Sequence, residues 1–145
     1  MTMNRAATYL RQLRKLDLLV QNKLIEKRQW YEIATGVSPN MSGDRVLSSG
    51  SQQKMADAIN RYIDLEREID EAIDALVDKK REVIAVIEQL SATEYDLLHK
   101  IYVQGKDLQT VADDYDKSYS WITTMHGRAL QSVQRILDAG ETKNE

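Results

Sequence analysis

The feature that most constrains this chain is a run of heptads from Gln52 to Leu90. Stepping alternately by four and three residues visits Met55, Ile59, Tyr62, Glu66, Ile69, Ile73, Leu76, Lys80, Val83, Ile87 and Leu90, and nine of these eleven positions are apolar. That spacing predicts one continuous helix with a coiled-coil seam. At about 1.5 Å per residue the helix would be on the order of 55–60 Å long, too long for a small globule to surround. Its seam must therefore pack on another helix of the chain, on a second copy, or on both. Glu66 and Lys80 interrupt the seam. Polar seam residues commonly fix register or partner at some cost in stability, and the plainer reading is a solvated gap.

A partner helix is available upstream. From about Asn4 to Ala34, Leu10, Leu13, Leu16, Val20 and Leu24 recur at three- and four-residue steps among Arg and Lys, with Leu18, Leu19 and Ile25 widening the apolar face. This predicts an amphipathic helix. Between the two lies Thr35–Ser51, TGVSPNMSGDRVLSSGS, which holds the chain's one Pro and three of its six Gly and reads as a flexible loop. Residues 1–90 thus read as a long helical hairpin: helix about 4–34, loop 35–51, helix about 52–90. The absence of Cys excludes a disulfide scaffold, a thiolate metal site and a Cys nucleophile. With 30% charged residues, a mean hydropathy of −0.52 and no apolar run near 18 residues, no membrane partner is expected. The basic amino terminus has no continuous apolar segment and does not look like a secretory signal, so a cytoplasmic protein is expected.

From Ser91 to Asp138 the pattern changes. Ser91 and Glu94 have the spacing of a capping box, opening a short helix with Leu97, Leu98, Ile101 and Tyr102. Gly105 supplies a left-handed stop. Asp107 caps a second short helix carrying Leu108, Val111, Ala112 and Tyr115. After Asp116 and Lys117, Ser118 or Ser120 caps a third helix with Ile122, Leu130, Val133, Ile136 and Leu137. Three helices, the last two joined by a tight turn, make a helix-turn-helix unit over 91–138, followed by a tail over 139–145. The fold class expected is all-α.

In these residues the chain resembles the fourth conserved region of bacterial sigma factors, the part that reads the promoter −35 element. The resemblance rests on Leu97-Leu98, Tyr102, Gly105, Leu108 and Val111-Ala112, then Ser118, Ser120, Ile122 and Arg128-Ala129-Leu130, and it covers about a third of the chain. A long hairpin in front of such a module also resembles small phage-encoded proteins of Gram-positive bacteria thought to regulate late transcription. The departures lie in the turn and the reading helix. Where sigma modules usually have Gly and an apolar residue, this chain has Asp116 and Lys117. Asp tolerates a left-handed backbone, and a Lys stem can cover an apolar slot. The reading helix has few basic residues, and Gly127 near its middle costs roughly 1 kcal/mol relative to Ala while permitting close approach of a backbone.

Binding DNA requires phosphate neutralisation and a helix whose exposed face meets base edges. From Ser91 to Asp138 five basic residues face seven acidic ones, a balance of −2. Placement can compensate. Lys106, Gln109 and Thr110 open the second short helix, where amides and small polar groups can hold a phosphate. Ser118, Tyr119, Ser120, Trp121, Thr123 and Thr124 lie at the amino-terminal end of the third helix. Thr methyls and aromatic rings there can meet thymine methyls, and Arg128 suits a guanine or a phosphate. Ile122 fills the inward slot, so Trp121 is expected outward, against the reading that it is a core or interface aromatic. The first segment carries seven basic and three acidic residues, the second six basic and ten acidic. The simplest reading pairs the two helices by charge. The sharper one puts Arg5, Arg11, Arg14 and Lys15 against nucleic-acid backbone or a partner.

Enzyme readings find no support: His99 and His126 sit in no metal-spacing or nucleophile motif, and no Gly-rich phosphate loop is present. No catalytic residue, metal or cofactor is expected. The partners expected are double-stranded DNA and RNA polymerase, with the long helices offering a seam for a homodimer. The function expected is a phage- or prophage-type transcription regulator. The alternatives are an adaptor docking on RNA polymerase or a sigma factor, and a DNA-packaging subunit resembling the small terminase.

Overall fold

The structure, a computed structural model, describes residues 3–36 and 49–143. Among them are five α-helices and no strand, so the chain is all-α: α1 Met3–Thr35, α2 Ser49–Ile87, α3 Ala92–Leu98, α4 Leu108–Asp114 and α5 Tyr119–Lys143. A single π-helical turn, His99–Val103, continues α3. Most of the loop read over 35–51 lies outside the described residues.

Contacts gather into two compact units. One comprises Leu76–Glu145 together with the start of α1 through Leu16; the other is Asp17–Ala75.

The first unit is built on one core. Ala6, Leu10 and Leu13 of α1 join Val83 and Ile87 of α2, Leu97 and Leu98 of α3, Val111 and Ala112 of α4, and Ile122, Ala129 and Val133 of α5. Local chemistry sets the helix ends around this core. Ser91 accepts from the Glu94 amide while Glu94 returns a bond to the Ser91 amide, the full capping box. The Asp107 carboxylate accepts from the Thr110 amide at 2.7 Å, and the Ser118 hydroxyl from the Trp121 amide at 3.1 Å, so Ser118 is the cap of α5. At the end of α4, Asp116 is left-handed with φ 54°. Its amide reaches the Asp113 carbonyl and that of Lys117 the Ala112 carbonyl. These two bonds are the Schellman closure, made with Asp where Gly is usual.

The amino terminus of α1 is closed from α5. The first four amides of a helix have no partner within it. That of Ala6, the fourth residue of α1, donates to the buried Gln134 side-chain oxygen at 3.0 Å. Gln134 in turn donates to Asp138 at 2.9 Å, and Arg5 pairs with Asp138 and with Glu141. At the other edge of α1 the Tyr9 hydroxyl donates to Glu82 at 2.7 Å. Burial first, then Glu82, pushes the Tyr9 phenol well above its ordinary range.

The second unit is an antiparallel pair of helices held by Lys23–Glu68, Glu26–Arg61 and Lys27–Glu66. Its interior is narrow. Val20, Ala58, Leu65, Ile69 and Ala72 are buried, whereas Ile59, Ile63 and Ile73 stand exposed. The seam of α2 in this unit thus runs one residue earlier at alternate positions than the heptad reading placed it. Small Ala58 and Ala72 take the slots assigned to Ile59 and Ile73, and alanine lets the backbones approach. Glu66 and Lys80, read as seam interruptions, are therefore exposed and off the seam, and Glu66 pairs with Lys27 at 3.4 Å.

Candidate nucleic-acid interface

Helices α4 and α5, with the turn between them, form the helix-turn-helix. The closed turn fixes α5 as it leaves α4, and Ile122, Ala129 and Val133 anchor its inner face with no exposure. The period of 3.6 then puts Ser120, Thr123, Thr124 and Arg128 on the outer side, where all four are exposed. Thr123 and Thr124 both donate their hydroxyls to the Ser120 carbonyl, at 2.9 and 3.0 Å. Their oxygens remain acceptors and, with the threonine methyls, make an exposed surface suited to base amino groups and thymine methyls. Among the described residues Arg128 makes no ion pair, so its five donors are available for a phosphate or a guanine edge. Gly127 sits within this strip, and a Cβ built there would meet nothing within 4 Å.

Trp121 differs from its expectation. It is half-buried, its ring 5.4 Å from that of Tyr115 at the end of α4, and the Lys117 ammonium lies over its face at 5.9 Å. The aromatic pair packs at the side of the turn, with the exposed Lys117 reaching over it. Tyr115 also donates to Asp96, and burial with that carboxylate drives its phenol pKa upward. Ser118 is exposed, with its hydroxyl engaged in the cap.

The remaining candidates lie at the start of α4. Thr110 and Gln109 are exposed, and Gln109 donates to Asp113 at 3.0 Å. Lys106 donates to Asp114 at 2.9 Å, and this bond, ahead of the Coulomb attraction of Lys106 and Lys100, holds the Asp114 carboxyl below its usual range. Lys106, Gln109 and Tyr119 share an open cavity of about 500 Å³ with Arg11 of α1, Tyr102 of the π turn and His126 of α5. Ser120, Thr123, Thr124 and Arg128 do not line it.

Sequence reasoning missed this cavity. The π turn sets the Tyr102 hydroxyl 2.7 Å from His126 Nε2, with the two rings stacked at 5.8 Å. Burial first, and Arg11 second, depress the imidazole pKa below its ordinary value. His126, which belongs to no metal-spacing or nucleophile motif, is half-buried and partnered by Tyr102. Of the basic residues of the first segment, Arg5 is tied to Asp138 and Glu141. Arg14 lies against Gly105, 3.5 Å from where a Cβ would stand. Arg11 faces the cavity.

No group of three or more His, Asp or Glu side chains among the described residues could hold a metal ion, and no described helix is long and apolar enough to cross a membrane. No protein-family model matches the chain, and no solved structure matches it. The chain is similar to the RNA polymerase sigma factor SigO of Bacillus subtilis (strain 168). The two are 22% identical over 141 residues, covering 97% of this chain and 74% of that protein. The likeness is distant and sigma-factor-like. It extends over the long helices as well as the helix-turn-helix.

Proposed function

We propose that this chain is a DNA-binding transcription factor of the sigma-related kind, of the phage or prophage type its sequence resembles, and that it places α5 in the major groove of duplex DNA. The observation that carries the reading is the outer strip of α5. Ser120, Thr123, Thr124 and Arg128 are exposed together beyond a capped and closed turn, and no described residue of the first unit buries them. Thr110 and Gln109 flank the strip as phosphate contacts. The similarity to a protein named as an RNA polymerase sigma factor supports the same reading and adds RNA polymerase as a partner.

Selection from a random duplex pool tests it. The wild-type chain enriches a motif, and Thr123→Ala and Arg128→Ala each relax it at particular base pairs, by about 1–3 kcal/mol per lost contact. Absence of any enrichment at low salt contradicts base reading.

A second reading, an adaptor that docks on RNA polymerase or a sigma factor without reading bases, draws on the other unit. Leu24, Tyr31, Ile59 and Ile63 are each about half exposed there, apolar surface of the kind a protein partner covers. Under that reading polymerase co-purifies with the chain while the random pool stays unenriched.

A further inference from the structure

We infer that the cavity between α1 and the start of the helix-turn-helix seats a phosphodiester of the bound duplex, with the Arg11 guanidinium as its principal ligand. The inference rests on the reading of α5 as the DNA-contacting helix and adds a contact from outside the helix-turn-helix.

Charge comes first. The module from Ser91 to Asp138 is acidic by two, and Lys106 is bonded to Asp114. The helix-turn-helix therefore brings little free positive charge to a polyanion. Arg11 supplies some. It is exposed, lines the cavity and forms no ion pair among the described residues. Its charge is felt inside: burial raises the Tyr102 phenol pKa and Arg11 opposes that rise, while at His126 burial lowers the imidazole pKa and Arg11 adds to it.

The rest of the lining suits a phosphate oxygen. Tyr119, the first residue of α5, is exposed, and its hydroxyl has no partner among the described residues. Gln109 keeps a second amide hydrogen beyond the one given to Asp113, and Lys106 keeps two beyond Asp114. The one carboxylate of the lining, Asp107, is turned to the Thr110 amide. The place is also right. The cavity is lined on α5 by Tyr119 and His126, and the helical period puts Thr123 one turn from each, on the flank where the backbone bordering a major groove runs when a helix lies in it. An arginine fork matches a phosphodiester better than an ammonium does, because it gives two parallel bonds.

The test is the salt dependence of duplex binding by the full chain, followed by fluorescence anisotropy from about 50 to 300 mM salt on the selected site and on a scrambled one. Arg11→Ala lowers affinity about tenfold at low salt on both duplexes, makes the slope of log K against log salt shallower by about 0.9, and leaves the selected motif unchanged. Arg11→Lys restores most of the slope, and thermal unfolding shows both variants folded. Single methylphosphonate substitutions along the site identify the phosphate: one position weakens the wild type and is silent in Arg11→Ala. An unchanged slope in Arg11→Ala, while Arg128→Ala still degrades the motif, overturns the inference and leaves the reading of α5 intact. A shallower slope with no silent position overturns the seated phosphate in favour of diffuse charge. Failure of the wild-type chain to bind any duplex overturns both.

Discussion

Gln134 illustrates how one side chain can decide a helix end. Its oxygen is the partner of the Ala6 amide, a donor that α1 cannot satisfy itself and that is buried away from water. Gln134→Leu keeps the volume and removes the acceptor. It lowers the free energy of unfolding by about 1–3 kcal/mol, read as a fall in the urea midpoint at constant slope. His126 gives the pH dependence. Burial depresses its folded pKa below the unfolded value near 6.5, so the unfolded chain binds the extra proton. The stability His126 contributes is complete above that value and is lost as pH falls through the folded pKa. Urea unfolding between pH 7 and pH 5 shows a steeper decline for the wild type than for His126→Gln, because Arg11 and Tyr102 face the ring on this descent. The lowered carboxyl pKa values of Glu94, Asp107 and Asp114 act in a separate, more acidic window.

At the scale of elements, two glycines make opposite demands. Gly105 has φ +77° at the stop after the π turn and stands against Arg14. Gly105→Ala places a side chain in a left-handed backbone and costs about 1–2 kcal/mol of stability. Gly127 is helical, and open space surrounds the place its Cβ would take. Gly127→Ala therefore raises stability by about 0.5–1 kcal/mol, seen as a higher unfolding temperature, and weakens duplex binding because the methyl stands within the outer strip of α5. A stabilised variant with unchanged duplex affinity would show that no backbone approaches there.

The helix ends were legible in the sequence because caps are local. Ser91 with Glu94, Asp107, Gly105 and Asp116 all act where their spacing and residue type put them. The phase of the α2 seam was not legible, because position 58 or 59, and 72 or 73, satisfies the heptad equally well. Only packing shows that the alanines go inside. The half-buried place of Trp121 and the partner of His126 were not legible for the same reason. Their surroundings come from Tyr115 across the turn and from Tyr102, which a π turn carries toward the ring. No spacing rule reveals a π turn.

At the scale of the molecule, the net charge of −3 describes a distribution better than it excludes a partner. Ion pairs such as Lys23–Glu68 and Glu26–Arg61 consume much of the charge of the long helices. On the side of the helix-turn-helix proposed to meet DNA, Arg128 on α5 and Arg11 at the cavity form no ion pair among the described residues. Affinity for duplex DNA is accordingly modest and falls with added salt in proportion to a small number of phosphates. Guanine N7 protection from dimethyl sulphate tests the central claim most directly, since that atom lies in the major groove. On the selected site the wild-type chain protects guanines in one major-groove face, and Arg128→Ala loses protection at one of them. Full methylation at every guanine, with the chain bound, would contradict the placement of α5 in the major groove.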